Sequence, residues 1–164
     1  MEGSITEDHY FNLVAARQRA EKITSILYIK NDTCSEEEQE LIIKQQYFFC
    51  SATVRDIRKR YVRNISERGF DKFPEKVAIQ INDAYPAIAI VELLRILLDD
   101  EGLNIHQAWL IASKTFSYTC HSVSGNIFLE KWPVELVGKI LPRHLEIMHV
   151  INYFFMEQIR DKHQ

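Results

Sequence analysis

Asp83 and Tyr85 follow a short apolar run, Val77 to Ile81, and precede Pro86, so a carboxylate and a phenol stand where a strand gives way to a helix. In open α/β sheets the carboxyl ends of strands are where ligands bind, and a polar pair there offers a ligand an acceptor and a hydroxyl. A carboxylate in that place can equally cap the next helix, and the residue types alone leave both readings open. A second constellation is basic. Arg55, Lys59 and Arg63 are spaced by four and share a helix face, with Arg58 and Arg60 beside them. Such a cluster either binds an anion or forms a solvated face with Asp56 as partial counter-charge. His144 and His149 lie five apart rather than the three or four that would bring two ligands to one helix face, so no metal site is expected. Cys34, Cys50 and Cys120 are odd in number and widely spaced, which fits reduced thiols better than a disulfide framework.

The elements that must position these groups are legible from periodicity. The chain has 164 residues, 46% hydrophobic and 26% charged, the size and balance of one soluble domain. Its net charge of -3 and pI near 6.1 give no general attraction to nucleic acid or to an acidic membrane. No apolar run approaches the length of a membrane span, and the first residues lack a basic region followed by an apolar stretch, so a cytoplasmic location is expected.

A helix is predicted from about residue 8 into the twenties, then a polar loop. Ser35 followed by Glu38 fits a capping box that opens a second helix. Along it Ile43, Tyr47, Cys50, Val54, Ile57 and Tyr61 form one apolar stripe. The pattern breaks at Gly69 and Pro74, after which Val77 to Ile81 fits a buried parallel strand. Pro86 is expected to begin the next helix, with Ile90, Leu93, Leu94, Leu97 and Leu98 on its apolar face and Gly102 as its left-handed stop. A helix through "IHQAWLIASK" leads to a second strand in "TFSYTCHS". From Pro133 two helical stretches break near Pro142. In the second, Leu145, Ile147, Met148, Val150, Ile151, Phe154, Phe155 and Met156 spread over more than one face, so an exposed apolar surface is expected. The layout is α/β.

The stretches "AEKITSILY", "KQQYFFCSATVRDIRKRY", "FPEKVAIQIND", "PAIAIVELLRILLDDEGL", "AWLIASKTFSYTCH" and "EKWPVELVGKILPRHLEIMHVIN" occur in this order and spacing. Together they resemble the α-glucan phosphorylases, the glycogen and starch phosphorylase family, over nearly the whole chain. The resemblance is to an interior part of that family's N-terminal domain, residues 1–164 forming a single segment of it with the C-terminal cofactor domain absent. It implies a partial Rossmann-like domain of the GT-B glycosyltransferase type, mostly helical, with about two short parallel strands.

It also implies roles. The junction at Asp83 resembles the family's "NDTHP", with Asp83 matching an aspartate near the glucosyl site, Ala84 replacing threonine and Tyr85 replacing histidine. His121 in "YTCHS" matches the histidine of "YTNHT", which contacts the glucose unit, and Cys120 replaces asparagine. Asn31 and Asp32 sit in a loop resembling the active-site gate "LYPNDN", without its proline. Lys59 and Arg60 stand where animal phosphorylases carry an arginine pair for the phosphate of a nucleotide activator. After His121, "VSGNIFLEKW" replaces "VLPEALEKW", one residue longer.

The implied activity is phosphorolysis of terminal α-1,4-linked glucose from glycogen or starch, releasing glucose 1-phosphate, with α-glucan and phosphate as substrates. Pyridoxal phosphate is the family's cofactor, held as a Schiff base by a lysine of the C-terminal domain that has no counterpart in this sequence. The 164 residues alone are therefore expected to be inactive. The alternative is a non-catalytic homologue that associates with a full-length phosphorylase or with itself. Nucleic acid and membrane partners are not expected.

Overall fold

Ser35 opens the longest helix as its spacing predicts: the Ser35 amide donates to Glu38 Oε2 at 2.8 Å, and the Glu38 amide donates to Ser35 Oγ at 3.3 Å. Glu36, Glu37 and Glu38 then place negative charge at the positive end of the helix dipole. The structure, a computed structural model, describes residues 7–25, 34–64, 69–82, 85–119 and 131–162. The chain forms two compact units, Met1–Phe48 and Phe49–Gln164.

The first unit holds α1, Glu7–Ser25, and the opening turns of α2, Glu36–Asn64. On α1, Tyr10, Phe11 and Leu13 are exposed, and Arg17 pairs with Glu21 one turn on. Of the predicted α2 stripe, Ile43, Cys50, Val54 and Tyr61 are buried, with Tyr47 and Ile57 half-buried.

In the second unit the far half of α2 meets a core centred on Phe73, Leu93, Leu94, Ile96 and Leu97. Tyr61 packs edge-on against Phe73 with ring centroids 4.7 Å apart, and its hydroxyl donates to the Gly69 carbonyl at 3.0 Å. That bond lets a buried tyrosine satisfy its polar end. A short helix, α3, Phe73–Lys76, leads to β1, Ile79–Ile81.

The strand is shorter than predicted and is not buried throughout. Ile81 is buried but Gln80 is exposed, its amide donating to Thr119 Oγ1 at 2.6 Å. A polar side chain at the middle position faces solvent because strand side chains alternate, and alternation outweighs the apolar character of the run. β1 pairs in parallel with β2, Phe116–Tyr118, in the register Ile79↔Phe116, Gln80↔Ser117, Ile81↔Tyr118.

Between the strands, Pro86 does not begin a regular helix. It sits in a 3-10 turn, Tyr85–Ala87, and α4 follows as Ile88–Arg95. The last stretch, Ile96–Asp100, is a π turn. Gly102 then ends the segment with φ +70°, the left-handed conformation that glycine adopts without a Cβ penalty. Leu103 N donates back to the Leu97 carbonyl at 2.9 Å. A second capping box, Asn104 with Gln107, opens α5, Ile105–Thr115.

The tail folds as α6, Val134–Ile140, and α7, Pro142–Lys162, with the break at Leu141 before Pro142. At Gly138 a Cβ would lie 3.2 Å from Leu145 Cδ2, so the two helices meet at a position that only glycine fits without displacement. Ile147 is buried on α7, while Val150, Tyr153, Phe155 and Met156 are exposed. The predicted excess of apolar surface on this helix is therefore present.

Candidate functional site

The β1–α4 junction is fixed by two successive residues of α2. Cys50 Sγ donates to the Pro86 carbonyl at 3.7 Å, and Ser51 Oγ donates to Glu92 Oε1 at 2.9 Å. Burial pushes the Cys50 thiol up to about 11, so it stays a neutral donor at ordinary pH. Tyr85 and Pro86 are half-buried at the entry to α4, and Asn82 is exposed at the end of β1.

Below that junction lies a buried ionic cluster. Glu92 has no exposed surface, and its carboxylate accepts from Arg95 Nε at 3.0 Å, Arg95 Nη2 at 3.2 Å, Ser51 Oγ and His144 Nε2 at 2.7 Å. An ionised carboxylate offers acceptors alone, so His144 Nε2 carries a proton toward it. Burial, the largest single influence, opposes ionisation of Glu92. The hydrogen bonds from His144, Arg95 and Ser51, with the Arg95 charge, outweigh it and hold the carboxyl down at about 2. Glu92 and Asp100 raise the Arg95 guanidinium above its ordinary range in return.

The π turn extends the cluster. Arg95 forks onto Asp100 at 3.1 and 3.3 Å, and Arg55 of α2 lies 3.7 Å from both Glu92 and Asp100. Arg143 of α7 forks onto Asp99 at 2.7 and 3.1 Å, lowering the Asp99 carboxyl below its ordinary value. Arg58 pairs with Glu101. Sequence reasoning missed this cluster. The available signal was Glu92 inside an apolar run, with Arg95 three residues on in position to pair with it.

Of the residues predicted to serve a site, Asn31, Asp32, Asp83 and His121 lie outside the described residues, as do Ala84 and Cys120. Lys59 and Arg60 are neighbours on the exposed side of α2. Arg60 Nε lies 3.0 Å from Asp56 Oδ2, and Lys59 makes no ion pair among the described residues. Arg60 also lines a cavity of about 530 Å³ with Ile57, Tyr61, Asn64, Lys76 and Val77. The basic face is thus partly neutralised: Arg55, Arg58 and Arg60 each have a carboxylate partner. Among the described residues no group of His, Cys, Asp or Glu could hold a metal ion, and no helix is long and apolar enough to cross a membrane.

The model of the carbohydrate phosphorylase family matches residues 3–164. This chain belongs to that family. It is 51% identical over 153 residues to glycogen phosphorylase of Saccharomyces cerevisiae, covering 93% of this chain and 16% of that protein. It is 47% identical over 156 residues to the liver form of glycogen phosphorylase of Homo sapiens, covering 92% and 18%. It is 46% identical over 145 residues to the α-1,4 glucan phosphorylase L-1 isozyme of Solanum tuberosum, covering 88% and 15%. The chain therefore spans between 15% and 18% of the length of these relatives. Membership agrees with the mostly helical segment and its two-stranded parallel sheet.

Proposed function

We propose that these residues form the sugar-facing part of a glucan phosphorylase, an enzyme that cleaves α-1,4-glucan with phosphate to give glucose 1-phosphate. The observation that carries this reading is family membership across residues 3–164, with the strand-to-helix junction of β1 and α4 falling at the segment that resembles the family's sugar-site motif. In this reading the segment is an interior part of a GT-B type N-terminal domain. Asp83 and His121 contact the glucosyl unit, Asn31 and Asp32 belong to a gate, and Lys59 with Arg60 receives an effector phosphate. Lysine at position 59 supplies a point charge where arginine would supply a planar fork, so that contact is less directional.

Pyridoxal phosphate is the cofactor implied for the complete enzyme. A Schiff base needs an amine kept neutral by a desolvating pocket. Lys22, Lys44, Lys59, Lys72, Lys76, Lys114, Lys131 and Lys139 are exposed or half-buried, so none of them fits that attachment. Borohydride reduction of the 164-residue chain in the presence of the cofactor, followed by mass analysis, is expected to give no stoichiometric adduct at one lysine. The sugar role is tested by titrating the chain with a maltooligosaccharide and following backbone amide shifts. Shifts at residues 82–85 that vanish in Asp83→Ala support it, and shifts elsewhere only, or none, refute it.

A second reading, a non-catalytic homologue that docks on a full-length phosphorylase or on itself, is favoured by one observation. Tyr153 and Phe155 on α7 are 56% and 57% exposed, more than a solvated helix needs.

A further inference from the structure

A buried ionised carboxylate with its partners gives little stability over apolar packing of the same volume, because taking charges out of water costs nearly what their attraction returns. What it adds is direction. Glu92 is joined to α2 through Ser51, to its own helix through Arg95 and to α7 through His144, so one carboxylate sets how three helices meet. Nothing in the proposed reaction uses Glu92 directly. It lies five residues beyond the Tyr85–Ala87 turn, and the α2 residue before Ser51, Cys50, holds the Pro86 carbonyl of that turn.

We propose that Glu92 is a positioning residue for the β1–α4 junction: Ser51 and His144 hold its carboxylate between α2 and α7, and with the Cys50 bond this fixes the turn that carries Tyr85. The proposal rests on the reading of that junction as sugar-facing, since Tyr85 stands where the family motif has histidine. Adjacent α2 side chains thus hold the Tyr85–Ala87 turn at Pro86 and the second turn of α4 at Glu92. Loss of the Ser51 bond leaves the Cys50 bond and the core packing of Ala89, Val91, Leu93 and Leu94 to hold the segment, whose amides then open more readily. Loss of His144 alone leaves both α2 bonds in place and disturbs the turn less.

The test is amide hydrogen exchange on the 164-residue chain, comparing wild type with Ser51→Ala, Ser51→Thr and His144→Gln. Ser51→Ala is expected to speed exchange about tenfold across Ile88–Leu93, the equivalent of one hydrogen bond, while α5 amides change by less than about twofold. Ser51→Thr, which keeps the hydroxyl, is expected to restore the wild-type rates, and His144→Gln to give a smaller rise in the same segment. A rise shared equally by α5 would show a role in stability alone, and no rise in Ile88–Leu93 would remove the clamp; either result overturns the proposal. The sugar reading fails separately: a maltooligosaccharide that shifts no amide near Tyr85 in wild type, with the exchange pattern as expected, removes the sugar contact and leaves the positioning intact.

Discussion

Folding alters the chemistry of Glu92 strongly. Its carboxyl moves from an ordinary 4.5 to about 2, because the three donors around it outweigh its burial. A depressed carboxyl contributes stability that is present in full above its unfolded value and lost as pH falls toward its folded one. The window is therefore about pH 4.5 down to about 2, and the difference corresponds to roughly 3 kcal/mol. Urea unfolding at stepped pH is expected to show that loss in wild type and a flatter dependence in Glu92→Gln, which has no proton to take up. A variant with the same slope as wild type would place the acid sensitivity on other carboxylates. Glu92→Ala is expected to cost about 1 to 3 kcal/mol near neutral pH, since Ser51 Oγ and His144 Nε2 lose their buried acceptor while Arg95 keeps Asp100. At this scale the sequence carried part of the signal, Glu92 inside an apolar run with Arg95 three residues on, but the partner His144, fifty-two residues away, has no local signature.

At the scale of elements, features set by neighbours in the chain were legible and features set by packing were not. The Ser35 capping box, the α2 stripe and the stop at Gly102 follow from spacing and residue type, and all three are present. The length of β1 and the π turn at Ile96–Asp100 were not legible. The first depends on how far β2 runs beside it, and the second carries Asp99 and Asp100, whose partners Arg143 and Arg95 the spacing alone does not pair with them. The basic face divides the same way: Arg55, Lys59 and Arg63 are all exposed along α2 as their spacing of four implies, whereas the carboxylates that pair with Arg55 and Arg58 come from the π turn and the residue after it. Gly102→Ala is expected to destabilise the second unit by about 1 kcal/mol through the left-handed φ alone, as nothing crowds its Cβ position. Gly138→Val should cost more than Gly138→Ala, because α6 and α7 are already in close approach there; thermal unfolding of the pair checks the order.

At the scale of the whole molecule the question is turnover. Acceleration of phosphorolysis requires a sugar and a phosphate held together, with a group placed to move a proton as the glycosidic bond breaks. The segment that resembles the family's sugar motif supplies, in the proposed reading, contacts to the glucosyl unit alone. Arg55, Arg58 and Arg95 are already bound to carboxylates, so they offer a substrate phosphate no unpaired partner. Positioned sugar contacts without a positioned phosphate stabilise ground state and transition state alike, which tightens binding without raising the rate. A polypeptide limited to these 164 residues is therefore expected to release no glucose 1-phosphate from glycogen above background, even with phosphate and pyridoxal phosphate supplied. The assay couples released glucose 1-phosphate to a reporter, with Asp83→Ala as the control. Release that is lost in the control would reveal a complete active site within this segment, and the division of labour argued from its paired cations would then be wrong.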